Sequence, residues 1–217
     1  MWPQADVKLT GGPHGMAPQR VREIQRERML KAVTEVVARD GYAETTVRKL
    51  LAQAGLSRRT YYDLWVDKED CYLDAYDEIA DRLAARAAAG FEQGVTPRER
   101  VRLAVEALVG FCAEEPDAAC ACIVEGLAAG QAARAKRAGL IERIADTLAP
   151  ALAELRPDAP NPALTGRATV GGILELLYGP LARHDVEQLR SLAEQIGELP
   201  MLLPVEPAPL LERDRGT

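Results

Sequence analysis

The chain has 217 residues, of which 47% are hydrophobic and 28% charged, and its formal net charge is −6. This balance is typical of a globular protein with a sizeable core, and no apolar run approaches the ~20 residues that span a bilayer. Aromatic residues make up only 5%, while alanine and leucine abound, which favours helices over strands.

The charge is unevenly distributed along the chain. Residues 17–72 contain 11 Lys/Arg and 9 Asp/Glu, whereas residues 73–217 contain 15 and 23. A mildly basic N-terminal part therefore precedes an acidic remainder. Because the distribution of charge matters more than its total, the negative net charge does not exclude nucleic-acid binding.

The first 16 residues are polar, contain glycine and proline, and lack the apolar segment of a signal peptide. We expect them to form a disordered extension of a cytoplasmic protein. The four cysteines suit neither a disulfide framework nor a four-ligand zinc site. Buried reduced thiols are expected, with redox or metal chemistry at Cys120 and Cys122 as the weaker alternative, and no metal or cofactor is predicted.

Four helices are predicted in the N-terminal part. The first covers about residues 17–39 and carries apolar side chains at helical spacing. Thr46, Ser57 and Asp67 are good N-cap residues and predict the starts of the next three helices. Gly55 predicts a tight turn between the second helix and the short third helix, which reaches about residue 64.

Cap signals and apolar periodicity predict five more helices. Thr96, Pro97 and Glu99 form a capping box with proline at the first helical position, which is a strong start signal. Gly179 and Pro180 are expected to kink or stop the fourth of these helices. The predicted spans are 97–115, 117–129, 131–155, 163–182 and 186–199, followed by a proline-rich tail at 201–217.

Residues 46–64 have the pattern of a helix-turn-helix. In that motif the second helix enters the major groove with its N-terminal residues on base edges. Here residues 57–62 offer hydroxyls, two guanidinium groups and two phenols. Arginine can pair with guanine, and hydroxyls can reach phosphates. The alternative is two packed helices with a solvated arginine face.

The wider N-terminal sequence resembles the DNA-binding signature of the TetR family of transcriptional regulators. The resemblance lies in residues 41–47, 54–57, 60–62 and 65–69. It implies an all-α fold, with a three-helix, homeodomain-like helix-turn-helix domain at 17–66 and a TetR-type helical ligand-binding and dimerisation domain at 67–200. Two positions depart from the family pattern: Leu51 stands where a small residue is common, and Trp65 where phenylalanine is common.

The resemblance also implies which residues contact DNA. Thr46 would cap the second helix and touch a phosphate, and Arg48 would lie near the DNA backbone. Tyr62 and Lys68 would reach phosphates. The residues that would face the groove are Ser57, Arg58, Arg59, Thr60 and Tyr61. One of the two tyrosines is expected to pack partly inward.

The same resemblance implies a ligand cavity and a dimer interface in the C-terminal helices. The cavity candidates are Phe111, Cys112, Ile123, Leu127, Leu148 and Tyr178. The interface candidates are Leu174, Leu177, Leu189, Leu192 and Ile196. Ordinary packing within one subunit is the alternative for both sets.

The function so implied is a homodimeric repressor of transcription that binds a pseudo-palindromic operator and is released by a small, largely apolar effector. Two other functions stay open. The C-terminal domain could bind a protein partner instead of a small molecule, or the chain could be an all-helical enzyme, although no catalytic motif is present.

Overall fold

The computed structural model describes residues Trp2, Pro3, Ala5, 17–157, 161–192 and Gln195. Within these residues the chain is helical and contains no strand, which confirms the all-α prediction. The helices are α1 (Pro18–Asp40), α2 (Val47–Ala54), α3 (Arg58–Tyr62), α4 (Lys68–Gln93), α5 (Pro97–Glu114), α6 (Pro116–Ala119), α7 (Glu125–Ala128), α8 (Gln131–Leu155) and α9 (Pro162–Ala182), with a π-turn (Cys120–Val124) between α6 and α7. Residues 186–192 are again helical.

Side-chain caps fix the starts of the helices. Thr46 accepts a hydrogen bond from the Lys49 amide at 3.3 Å, and Asp67 accepts one from the Asp70 amide at 2.9 Å. The capping box at the start of α5 is also formed. Such caps satisfy amides that have no partner inside the helix, so the sequence specifies these boundaries locally.

The head, residues 17–66, is built on α1, which packs against α2 and α4. The body consists mainly of α4, α5, α8 and α9, with close packing of α4 on α5 and of α8 on α9. At Gly90 a Cβ atom would lie 2.4 Å from the Leu103 carbonyl oxygen, so only glycine allows α4 to approach α5 this closely. Because α4 packs on both the head and the body, the domain boundary near residue 66 stays a prediction.

One segment differs from the sequence-based expectation. The single helix predicted over 117–129 is instead α6, the π-turn and α7, and all five residues of the π-turn are buried. Helix α9, in contrast, ends at Ala182, two residues after Pro180, as the predicted span 163–182 indicates. None of the described helices is long and apolar enough to cross a membrane.

The N-terminal extension also departs from expectation where it is described. Trp2 and Ala5 are only 7% and 6% exposed, so these two residues pack against the rest of the chain instead of being disordered. The tail predicted at 201–217 lies outside the described residues.

Candidate nucleic-acid interface

The turn between α2 and α3 depends on one glycine. Gly55 has φ +64° and ψ +33°, a left-handed conformation that costs glycine little. Its amide and that of Leu56 both reach the Leu51 carbonyl oxygen, which closes α2. After the turn, Ser57 is the N-cap of α3 and accepts a hydrogen bond from the Thr60 amide at 3.1 Å. Leu51 itself is half-buried against the core.

The start of α3 presents an exposed basic surface. Ser57, Arg58 and Arg59 are exposed, and Tyr62 is 52% exposed. Among the described residues, no hydrogen bond or ion pair engages the guanidinium group of Arg58 or Arg59. Both groups are therefore available to an external acceptor such as a base edge or a phosphate.

The beginning of α2 extends this surface. Thr46 and Arg48 are both exposed, and Arg48 has no ion pair within the described part of the chain. Thr60 is half-buried, and its hydroxyl shares a hydrogen bond of 2.9 Å with Ser57. The Thr60 hydroxyl therefore already has a partner at the N-cap of α3, and its contact with the DNA groove stays a prediction.

Tyr61 lies in the core of the head, which corrects the expectation that it faces the groove. Its side chain is 0% exposed, and its hydroxyl donates to the Asp67 carbonyl oxygen at 2.7 Å. Its ring packs edge-on against Tyr62, with centroids 5.2 Å apart, and 5.6 Å from the Trp65 ring. Burial raises the pKa of Tyr61 far above its ordinary value. Of the two tyrosines, Tyr61 is the one that packs inward.

A polar bridge holds the end of the α3 region against α1 and α4. The Trp65 indole donates to Asp74 at 2.9 Å, and Arg26 makes a bidentate pair with the same carboxylate at 2.5 and 3.0 Å. Trp65 is 4% exposed, so it replaces phenylalanine as a core residue and adds one hydrogen bond. The bridge fixes the orientation of α3 relative to α4.

Lys68 is less available to DNA than the sequence suggests. Its ammonium donates to the Tyr42 carbonyl oxygen at 2.9 Å and lies 4.1 Å from the centre of the Tyr42 ring. Burial lowers the pKa of Lys68. A phosphate contact would have to compete with these interactions, and it stays a prediction.

Tyr42 also links the head to the body, a role that the sequence analysis missed. Its amide donates to the Glu125 carboxylate on α7 at 2.7 Å, and its ring lies 4.8 Å from that of Tyr72. The Tyr72 hydroxyl in turn donates to the Ala121 carbonyl oxygen of the π-turn at 2.7 Å. Because Glu125 is 83 positions from Tyr42, no local sequence pattern marks this contact.

The predicted cavity residues differ in burial. Phe111, Cys112, Ile123 and Leu148 are buried in the body, whereas Leu127 and Tyr178 are 39% and 38% exposed. The ligand contacts of all six residues stay predictions.

Four buried polar atoms in the body have no hydrogen-bond partner among the described residues. They are the Tyr76 hydroxyl, Arg82 Nη1, Arg137 Nε and Thr169 Oγ1. Burial raises the pKa of Tyr76, and the nearby positive charge of Arg137 opposes that rise. Buried polar groups of this kind are normally satisfied, so they mark places where a bound molecule could supply the missing partner. No local sequence pattern indicates them.

All four cysteines are buried and unpaired, as expected. Burial raises the pKa of Cys120 and of Cys122 to about 12, so both thiols are protonated at neutral pH and are poor nucleophiles. Within the described residues, no group of three or more His, Cys, Asp or Glu side chains could hold a metal ion.

The predicted interface residues lie mostly inside their own subunit. Leu174, Leu177 and Leu189 are at most 1% exposed, and Leu192 is partly buried. Ile196 lies outside the described residues. The first three side chains are therefore core residues of their own subunit; Leu174 and Leu177 belong to α9, which packs on α8.

Comparison with known proteins identifies the N-terminal region. Residues 29–75 match the family of bacterial regulatory proteins named tetR, and this segment contains the α2–turn–α3 motif. This region therefore contains a TetR-family helix-turn-helix domain, of the kind with which bacterial transcriptional regulators bind DNA.

One curated protein similar to this chain is a regulator of fatty acid metabolism. The fatty acid metabolism regulator protein of Bacillus subtilis (strain 168) is 27% identical over 77 residues, which are 36% of this chain and 40% of that protein. The match thus spans well under half of that relative's length.

Solved structures share the fold over a larger part of the chain. The fatty acid degradation regulator FadR from Bacillus halodurans has a TM-score of 0.71 at 17% identity, covering 82% of this chain and 98% of that one. FadR from Bacillus subtilis in complex with stearoyl-CoA has a TM-score of 0.70 at 21% identity, covering 80% and 96%. A TetR-like regulator from Rhodococcus sp. RHA1 has a TM-score of 0.62 at 22% identity, covering 87% and 100%.

Proposed function

We propose that this protein is a homodimeric TetR-family repressor that binds a pseudo-palindromic operator and is released by a long-chain acyl-CoA. The observation that carries the DNA-binding part is the pair of exposed, unpaired guanidinium groups of Arg58 and Arg59 at the N-terminal end of α3. A helix N-terminus favours phosphate, and arginine reads guanine, so this end of α3 suits the major groove.

The exposed face of α9 supports the homodimer. Leu164 and Leu176 are 59% and 44% exposed, and Ala168 and Gly172 between them are also exposed. These four residues recur every four positions, so they form one stripe along the helix. At Gly172 a Cβ atom would meet open space, so a second helix has room to approach there. A two-fold dimer through this stripe would pair two identical surfaces.

A charge placed in the stripe is expected to prevent dimer formation. Leu176→Glu would bring a carboxylate into the apolar interface, where it would have no partner. We expect a folded monomer by sedimentation velocity, with operator affinity lowered at least ~10-fold because the second half-site contact is lost. Leu127→Glu, an exposed leucine on α7, is the matched control and should stay dimeric. A dimeric Leu176→Glu variant would place the interface elsewhere.

Two observations support an acyl-CoA effector. The first is the shared fold with FadR from Bacillus subtilis, whose structure contains stearoyl-CoA. The second is that the apolar body holds the unpartnered Tyr76 hydroxyl, which lies beside the weakly hydrogen-bonding Cys122 thiol and near Arg137. An acyl chain suits the apolar core, and its thioester carbonyl would accept hydrogen bonds from Tyr76 and Arg137.

The link through Tyr42 supports coupling between effector and operator. Ala121 and Cys122 lie in the π-turn, which Glu125 follows directly. Glu125 contacts Tyr42, and Ala121 contacts Tyr72. A ligand that displaces the π-turn would alter these contacts and thus the position of the head. It can shift operator affinity only by its differential affinity for the two arrangements.

Stearoyl-CoA is therefore expected to weaken operator binding about 5- to 150-fold at saturation. The measurement is fluorescence anisotropy with labelled upstream DNA, together with calorimetry of stearoyl-CoA on the free protein. Coenzyme A without an acyl chain is the ligand control and should have little effect.

Two variants separate binding from coupling. Tyr76→Phe should weaken stearoyl-CoA binding and leave operator affinity unchanged. Glu125→Gln should keep the affinities for stearoyl-CoA and for the operator, but stearoyl-CoA should then weaken operator binding less. The matched control is Glu142→Gln, since Glu142 is an exposed glutamate on α8. Binding of stearoyl-CoA without any change in operator affinity would contradict the coupling, and absence of binding would contradict the effector class.

A further inference from the structure

The N-terminal segment contains a buried tryptophan that the function described so far does not use. Trp2 is 7% exposed and belongs to the continuous hydrophobic core of the protein. The Ala5 amide donates to the Trp2 carbonyl oxygen at 3.1 Å, which closes a turn. We call the described residues Trp2, Pro3 and Ala5 the N-terminal strap.

One end of the strap lies against the body. Arg82 of α4 lies near two aromatic rings, with its guanidinium carbon 6.0 Å from the centre of the Trp2 ring and 5.3 Å from that of Phe111 on α5. Arg82 also pairs with Glu115, which holds the cation in place. A cation over an aromatic face is stabilising, so this contact helps to hold Trp2 against the body.

The same tryptophan also faces the head. Trp2 lines a groove together with Lys31, Thr34 and Glu35 of α1 on one wall and residues 114–118 on the other. The groove therefore lies between the head and the body, and the indole ring sits where the two meet.

The other end of the strap lies on the head alone. Arg28 of α1 donates from Nε to the Ala5 carbonyl oxygen at 2.9 Å. Ala5 is 6% exposed and lies beside Gln53 and Ala54 of α2. The strap thus runs from a seat on α4 and α5 to one on α1 and α2, across the junction between the two parts.

We propose that the strap holds the head in its operator-binding orientation by tying α1 and α2 to the body through Trp2. This inference rests on the proposed function for its readout. Two heads must lie in register to bind both half-sites, and a fixed orientation of each head lowers the cost of ordering them. The strap is a positioning element and does not itself contact DNA.

Fluorescence tests whether Trp2 is buried in the free protein and stays buried in the operator complex. The chain has two tryptophans, so Trp65→Phe leaves Trp2 as the sole emitter. We expect blue-shifted emission and weak quenching by iodide in the free protein, both unchanged when operator DNA is added. Red-shifted, readily quenched emission in the free protein would overturn the proposal, as would exposure or a direct DNA contact of Trp2 in the operator complex.

Operator affinity tests the positioning role. Trp2→Ala is expected to weaken operator binding about two- to tenfold, while circular dichroism and dimer formation stay unchanged. Trp2→Phe keeps an aromatic ring over Arg82 and should restore most of the affinity. Unchanged or increased affinity of Trp2→Ala would overturn the proposal. If the wild-type chain binds no operator, the proposed function fails, whereas the fluorescence result still decides whether the strap is docked.

Discussion

Replacing Arg58 or Arg59 with alanine is expected to weaken operator binding by about 1–3 kcal/mol for whichever arginine reads a base. Both guanidinium groups are exposed at the start of α3 and have no partner among the described residues, so neither substitution breaks a contact within the protein. The loss should therefore appear in DNA affinity and not in stability.

The pattern of the loss distinguishes the two possible roles of each arginine. Replacing an arginine that pairs with a guanine should also reduce selectivity at that one base pair. Replacing an arginine that contacts only phosphate should weaken binding to all sequences alike and lower the salt dependence of binding. Competition with operators changed at single positions, measured at several salt concentrations, separates these outcomes.

Arg98→Ala is the matched control for this pair. Arg98 is exposed at the start of α5 in the body, and its replacement changes the net charge of the chain by the same amount. If Arg98→Ala weakens operator binding as much as Arg58→Ala and Arg59→Ala do, general electrostatics would account for the effect. If neither α3 variant loses affinity, the start of α3 is not the reading surface.

Tyr61→Ala should destabilise the head by about 3–5 kcal/mol, because it removes a large, fully buried ring. The side chain is 0% exposed and packs against Trp65. Tyr61→Phe keeps the ring and loses only the hydrogen bond to the Asp67 carbonyl oxygen, at a cost of about 1 kcal/mol. Urea unfolding followed by tryptophan fluorescence measures both losses, since Trp65 lies in the same cluster.

The neighbouring Tyr62 is the natural comparison. Its side chain is 52% exposed, so Tyr62→Ala should change stability by less than about 0.5 kcal/mol. Its effect should fall on DNA affinity, through the phosphate contact expected of it. A Tyr61→Phe variant that stays folded but loses operator affinity would show that Tyr61 reaches DNA through its hydroxyl, and the assignment of Tyr61 to the core alone would then be wrong.

These two adjacent tyrosines show the limit of local sequence information. The sequence indicates that one of them packs inward, but either fits a short helix that begins at Ser57. Tyr61 is the buried one, because α4 begins at Lys68 and the Asp67 carbonyl oxygen lies within hydrogen-bond distance of the Tyr61 hydroxyl. That arrangement follows from the packing of α4 and not from α3 itself.

The predicted dimer and ligand residues show the same limit. Leucines at helical spacing mark an apolar face of a helix, and one helix can have two apolar faces. In α9 the face that carries Leu174 and Leu177 packs inside the subunit, while the face with Leu164 and Leu176 stays exposed. Leu127 of α7, which follows the π-turn, is partly exposed as well.

The sequence by itself determined the starts of most helices and the helix-turn-helix motif of this protein. N-caps such as Thr46, Ser57 and Asp67 act over three or four residues, and Gly55 acts within a single turn, so short-range chemistry specifies them. Only the tertiary structure decided which faces are covered and how the head meets the body. The contact of Glu125 with Tyr42 joins residues 83 positions apart, and such a pair depends on how whole helices pack, which no local pattern encodes.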